Sequence, residues 1–284
     1  MKISAICSTI TLTILLLFSA LSGFAEQAVQ PRRIISLIPS VTRSLYLLGL
    51  QDEIAAVTMF CPAEARDKEK IGSILEPDIE KIVSLKPDIV IASKEGNRQA
   101  TLEKLRSLGL RVYVTGKVDS FNEICADFIK LGKFLGRGDK ARAVVDDSLR
   151  ALSELRDKLK STKPVTIFYE VGAQPLFTSG NKSFANDIIE AAGAKNVFSD
   201  ISSRFPQVSR EEVIRRDPDA IVLVAMGDVN IKEKAQWENF KALKAVKNGR
   251  IYFTDDNSFT DPTPRSAADA SEKLAEILYP DVFK

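Results

Sequence analysis

The chain carries one segment twice, and this duplication limits its possible folds more than any other feature. Residues 78–83 read Asp-Ile-Glu-Lys-Ile-Val and lead to Pro87-Asp88-Ile89-Val90-Ile91. Residues 209–214 read Ser-Arg-Glu-Glu-Val-Ile and lead to Pro218-Asp219-Ala220-Ile221-Val222. In each copy a glutamate, Glu80 or Glu211, precedes a Pro-Asp pair by seven residues, and the copies lie 131 positions apart (211 − 80). A second, weaker echo links residues 111–115 with residues 250–254. Two echoes in the same order point to two similar lobes.

Within each half, short apolar runs alternate with helical patterns. Strands are expected at residues 34–38, 53–58, 88–92 and 111–115, and again at 165–170, 220–225 and 250–254. Helices are expected at 39–49, 78–85, 99–108 and 120–135, and again at 183–192, 209–215, 233–246 and 266–278. Strands alternating with helices predict an α/β fold whose parallel sheets are covered on both faces. Between the copies, residues 139–160 hold one apolar stripe at 141, 144, 145, 149, 152, 155 and 159, with no turn residue inside it. A helix of that length runs ~33 Å, and its place between the copies reads as a stiff bridge. The expected divisions are a leader at 1–25, an N-terminal lobe at 26–138, a connecting helix at 139–162 and a C-terminal lobe at 163–284.

The ends and the composition narrow the function. Lys2, the apolar run 10–18 broken only by Thr11 and Thr13, and the small residues of Gly23-Phe24-Ala25 match a cleaved export signal. The run is too short for a bilayer span, and no cysteine follows it to take a lipid anchor. The expected location is the periplasm. The 40 basic and 38 acidic residues leave no excess of positive charge for nucleic acid. The chain has no histidine, which removes Ser-His-Asp triads, His-rich zinc sites and His-ligated haem. Neither a GxSxG elbow nor a GxxxxGK[ST] loop is present. The sequence therefore reads as a non-enzyme with no cofactor. An exported hydrolase working through Asp255 and Asp256 is a weaker alternative, as is a sensor lobe. Cys61 and Cys125 remain after the leader, either bonded or as two small buried residues.

Asp78 and Ser209 are good N-cap residues, which puts Glu80 and Glu211 in a first helical turn. There an acidic side chain gains ~0.3–1 kcal/mol from the helix dipole. That alone explains either glutamate. A matched pair at the ends of two lobes suits docking, because a carboxylate meets an arginine through paired hydrogen bonds.

Three stretches carry a wider resemblance: residues 80–92, Pro175-Leu176-Phe177-Thr178-Ser179-Gly180, and Phe205-Pro206-Gln207-Val208-Ser209-Arg210-Glu211. With them the chain resembles the periplasmic substrate-binding proteins of ABC importers for iron chelates and vitamin B12, most of all its cobalamin-binding members. The resemblance implies two Rossmann-like lobes joined by a single long helix, with the ligand cleft between them. It implies a monomer whose Glu80 and Glu211 engage arginines of an ABC permease dimer. It also implies ligand contacts at Phe60, Cys61, Ile74, Ser93, Phe177, Phe205 and Phe259. Phe177 and Phe205 keep rings where the family has aromatics. Ile74 and Ser93 stand where Trp is expected, Cys61 or Phe60 where Tyr is expected, and Asp261 where Arg is expected. The sole Trp, Trp237, reads as packing. The expected ligand is a cobalt corrinoid, with a ferric siderophore or haem as the alternative. Arg98, Arg204 and Arg265 are the candidate partners for an anionic chelate.

Overall fold

The computed structural model describes residues 30–224, 229–254 and 262–284, and the backbone alone at 229–231. The expected leader and Asp255, Asp256, Phe259 and Asp261 lie outside the described residues. The first lobe runs β1 (Ile34–Ser36), α1 (Pro39–Leu47), β2 (Ile54–Val57), β3 (Glu69–Lys70), α2 (Ile79–Ser84), β4 (Ile89–Ser93), α3 (Gln99–Ser107) and β5 (Val112–Thr115). Its sheet is wholly parallel, in the order β3-β2-β1-β4-β5. Every residue of β1 and β4 is buried, as central strands sandwiched between helices must be. Alternate side chains divide between two cores. Ile34, Ile89 and Ile91 join one, and Ile35, Val90 and Ala92 join the other.

After α4 (Phe121–Phe134) and α5 (Gly138–Leu159), the second lobe runs β6 (Val165–Ala173), β7 (Leu176–Thr178), α6 (Phe184–Ala191), β8 (Ala194–Asn196), α7 (Arg210–Arg216) and β9 (Ala220–Val224). It closes with α8 (Val229–Glu238), α9 (Lys244–Lys247), β10 (Ile251–Thr254) and α10 (Pro264–Leu278). Parallel β6-β9-β10 repeats the order of β1-β4-β5, so the duplicated segments occupy the same place in two sheets. The lobes differ on the other side of the first strand. There β8 pairs with the start of β6, and antiparallel β7 pairs with its end.

Helix α5 joins the lobes by lying in both cores. Ala141 and Val145 belong to the first core and Leu155 and Leu159 to the second. Each buried leucine is worth about 1.5–3 kcal/mol. At the seam between the cores Ser148 is buried, its hydroxyl on the Val144 carbonyl, while Leu149 faces solvent. The expected stripe thus breaks at 149, where the helix has left one core and not yet met the next. Helix α4 also touches both halves. Phe128 and Leu131 pack in the first core and Ile124 in the second, and the Phe121 N–H donates to the Asp187 carboxylate at 2.8 Å.

Two readings need correction or completion. The single helix expected at 233–246 is two, α8 and α9, separated by a turn. Leu243 and Ala245 are both buried with Trp237, and one helix cannot turn all three inward. Lys244 starts the new helix, its N–H donating to the Asp217 carboxylate at 2.9 Å. Cys61 and Cys125 are free thiols.

Helices α4 and α5 cross closely at Gly132, where a Cβ would overlap the Ala141 methyl. Gly132→Val is expected to destabilise the protein by about 1–3 kcal/mol, because the added side chain must push the two helices apart. Urea unfolding followed by circular dichroism measures this, and an unchanged midpoint would contradict the packing described.

Candidate functional site

A cavity of about 300 Å³ lies between the lobes. The first lobe lines it with Ile38, Ser93, Thr115 and Gly116, at or just beyond the carboxyl ends of β1, β4 and β5, and the second lobe with Phe184, Arg204, Pro262 and Thr263. Open α/β sheets bind ligands at that edge. Asn97, 7 % exposed, fixes two wall residues at once. Its Oδ1 accepts the Ser93 N–H at 3.0 Å and its Nδ2 donates to the Ile74 carbonyl at 3.0 Å. Asp127 on α4 accepts the Gly116 N–H at 3.0 Å, and burial pushes its carboxyl above the usual range.

Arg204 closes one side of the cavity from the second lobe. Its guanidinium lies along both oxygens of Glu95 in the first lobe, with Nη2 3.3 Å from Oε2. Nη2 also donates to the Val118 carbonyl at 3.0 Å, and Nε lies 3.0 Å from Asp119 Oδ1. The guanidinium carbon sits 5.2 Å from the centre of the Phe205 ring, a favourable cation–π distance. Asp119 is also held by Lys117 at 2.8 Å. The other two arginines singled out in the sequence are paired as well, Arg98 with Glu76 at 3.3 Å and Arg265 with Asp269 at 2.8 Å.

Of the expected ligand contacts, Ile74 and Ser93 line the cavity. Phe60 is 64 % exposed beside Met59 at 57 %, and the Met59 N–H bonds to Gly72 in the loop that carries Ile74 and the exposed Leu75. Cys61 lies away from the cavity wall, its thiol on the Ala65 carbonyl and 3.2 Å from the Lys70 ammonium. Neither Phe177 nor Phe205 lines the cavity: Phe177 lies on β7, which an isolated bridge joins to Gln207 two residues beyond Phe205, and Phe205 is tied to the site only by backing Arg204. Glu95, Asn97, Asp119 and Asp127 were not anticipated. Glu95 and Arg204 are 109 positions apart (204 − 95), and no local spacing announces such a pair.

The two glutamates hold one address. Asp78 caps α2 by accepting the Lys81 N–H at 2.9 Å, and Ser209 caps α7 by accepting the Glu212 N–H at 3.2 Å. Glu80 and Glu211 are therefore both second residues of their helices, and both are exposed. Each helix runs back toward the start of the central strands, so its first turn stands at the edge where the strands end and the cleft lies. The neighbouring charges are occupied. Lys81 pairs with Glu69, and Glu212 pairs with Arg215 and Arg216, which hold its carboxyl down at about 2. Among the described residues Glu80 and Glu211 pair with no cation. Hydrogen bonds from its own backbone N–H and from Ser209 keep the Glu211 carboxyl below the usual range.

Residues 34–258 match the family model described as periplasmic binding protein. The chain belongs to the periplasmic binding protein family. It is 34% identical over 216 residues to the vitamin B12-binding protein of Pectobacterium atrosepticum, covering 73% of this chain and 77% of that one. It is 31% identical to the uncharacterized ABC transporter substrate-binding lipoprotein YvrC of Bacillus subtilis, covering 90% and 82%. The vitamin B12 binding protein BtuF of Vibrio cholerae superposes with a TM-score of 0.72 at 30% identity, covering 89% and 98%. A periplasmic heme binding protein of Pseudomonas aeruginosa superposes with a TM-score of 0.77 at 22% identity, covering 88% and 93%, a likeness of fold alone. The family's members are substrate-binding proteins for transport, not enzymes.

This binding protein sets α7 on a buried polar cluster that the first lobe lacks. Trp237, fully buried, donates from Nε1 to Glu170 Oε2 at 2.7 Å. Arg210, the first residue of α7, pairs with Glu233, bonds Gln236 at 3.0 Å and lies 4.5 Å from the Trp237 ring centre. In the matching register of the first lobe the addresses of Glu170 and Arg210 fall to Leu37 and Ile79. Trp237 is thus a packing residue, as read from the sequence. Burial raises the Glu170 carboxyl to about 7, against the bond from Trp237, and neighbouring Glu233 adds to the rise.

The native chain therefore holds a proton at Glu170 between 4.5 and about 7 that the unfolded chain has released. The stability from this group is complete below 4.5, falls as pH rises through about 7 and is level above that. Glu170→Gln should flatten this fall. Urea midpoints at about pH 5 and about pH 8 would then differ less in the variant than in the parent, and equal differences would contradict the assignment.

Proposed function

We propose that the protein captures a corrinoid between its lobes in the periplasm and delivers it to an ABC importer, docking through Glu80 and Glu211. One observation carries this reading: beside a cavity built by both lobes stand two exposed carboxylates at matched helical addresses, neither paired with a cation among the described residues. A two-fold pair of membrane subunits would present one arginine to each carboxylate, and the planar fork of a guanidinium sets orientation as well as position.

The relatives named for vitamin B12 and the charges of the cleft both favour a corrinoid. Among the described residues around the cavity two cations, Lys117 and Arg204, face three carboxylates, Glu95, Asp119 and Asp127. An anionic chelate gains little from that set, whereas a ligand decorated with amides suits the polar wall at Ser93 and Thr115. At about 300 Å³ the cavity is at the lower limit of small-molecule sites, so a macrocycle sits in it with the lobes parted. Two α/β lobes joined through a seam of helices permit a small opening of this kind. An anionic ferric chelate or haem is the second reading, and Arg204 at the cavity wall is the observation that favours it.

Titration of the protein without residues 1–25 should show one-to-one, micromolar or tighter binding of cobalamin or of its precursor lacking the nucleotide loop. Binding of haem or ferric siderophores with no corrinoid signal would favour the second reading instead. Glu80→Ala with Glu211→Ala should spare ligand affinity and lower uptake through a reconstituted importer by tenfold or more, because each lost charge pair costs ~2–5 kcal/mol. Loss of ligand affinity with normal uptake per bound ligand would place these residues in the cleft rather than at the permease.

A further inference from the structure

We propose that Glu95 and Asp119 set the charge selectivity of the cleft by holding Arg204 against the first lobe, where its guanidinium is unavailable to an anionic ligand. The inference rests on the reading that the interlobe cavity holds the ligand, and it names the residues that reject one class of it.

The geometry leaves Arg204 little to offer. A guanidinium has five N–H donors in a fixed fork. Here Nη1 and Nη2 face the two Glu95 oxygens and Nη2 also serves the Val118 carbonyl, while Nε, buried and making no hydrogen bond, lies 3.0 Å from Asp119 Oδ1 as an ion pair. Its flat face rests on Phe205. The side chains of Arg204, Glu95 and Asp119 are 24, 28 and 36% exposed, so water screens them only in part. An anion reaching for Arg204 must displace one acid and then lie beside a carboxylate left unpaired, an arrangement repelled at short range. An uncharged ligand meets neither cost.

The set is also lopsided by lobe. The cation comes from the second lobe and both acids from the first. Removing the acids leaves an arginine at the cavity wall with Phe205 behind it, the kind of site that takes a carboxylate or a catecholate by paired hydrogen bonds. Lys117, relieved of Asp119, adds a second positive charge nearby.

The experiment compares the parent chain with E95Q/D119N and with E95Q/D119N/R204Q, using haem and a ferric tricatecholate as anionic probes and cyanocobalamin as the probe without net charge. The double variant should bind the anionic probes at least tenfold more tightly than the parent, a gain of about 1.4 kcal/mol. Removing the guanidinium as well, with R204Q, should abolish that gain. Asp119→Asn alone, a smaller change at a more exposed site, should move the affinity in the same direction, and it serves if the double variant does not fold. Unchanged affinity for both anionic probes in E95Q/D119N, or a gain that survives R204Q, overturns the proposal, since a merely structural latch would produce either. Corrinoid binding is scored separately. Its absence from every chain would end the corrinoid reading and leave the selectivity result standing, whereas corrinoid binding with no anionic gain would do the reverse.

Discussion

The structure depends on one brace, built twice. A residue with left-handed backbone follows each of α2 and α7, Lys86 at φ 47° and Asp217 at φ 45°, the only two non-glycine residues with positive φ among the described ones. They lie 131 positions apart (217 − 86), the spacing of the repeat itself. Such a conformation costs about 1–2 kcal/mol, and the next two residues of the chain offset it. Proline fixes the next φ, and the aspartate after it reaches across to the start of the neighbouring strand. Asp88 accepts the N–H groups of Arg32 and Arg33 at 2.7 and 2.9 Å, and Asp219 accepts the N–H and hydroxyl of Thr166 at 2.9 and 2.7 Å. Asp88 and Asp219 also donate their own N–H groups back, to Arg33 and Thr166. The brace locks the helix end to the central strand pair. Because the helix is only six or seven residues long, locking its end also aims its beginning, where Glu80 or Glu211 sits.

This explains which parts of the molecule were legible in the sequence. The brace is local, with cap, glutamate, turn, proline and aspartate all falling within eleven residues, so it survives as a readable motif. Central strands such as β4 and β9 are legible for the same reason, as short apolar runs bounded by charged or turn residues. The cleft is different. Glu95, Asp119 and Arg204 stand on three separate loops and meet only because two lobes close on each other. Nothing in the residues around Glu95 distinguishes it from any other exposed acid. The cluster of Glu170, Arg210, Glu233 and Trp237 was illegible for a like reason, since its members come from β6, α7 and α8 and are joined by burial rather than spacing. The short strands β3, β7 and β8, of two or three residues, carry too few side chains to show a period.

The connecting helix shows how a duplicated chain avoids becoming two independent domains. Helix α5 contributes to both cores, but it does not act alone. Helix α4 lends Ile124 and the Phe121 N–H to the second lobe, and α10 packs along α5, with Lys158 and Glu272 3.8 Å apart. Burial raises the Asp187 carboxyl, and the bond from Phe121 offsets part of that rise. Three helices at the seam resist wide hinge bending, because separating the lobes far would expose Ile124, Leu155 and Leu159 together. Small opening at the cleft, on the side away from α5, leaves those contacts in place.

The two lobes have kept the address of the paired glutamates and changed what lies beneath and beside it. Under Glu80 the matching positions are Leu37 and Ile79, which are satisfied by apolar contact alone. Under Glu211 they are Glu170 and Arg210, which need Trp237, Glu233 and Gln236 as partners, and half-satisfied polar clusters are costly in a core. The cleft is unequal in the same way, with acids from the first lobe and the arginine from the second. On the proposed reading a symmetric partner requires only that the two tips agree, and an asymmetric ligand requires that the two walls differ. A duplicated sheet order and brace, with diverged cleft walls, meets both requirements with one chain.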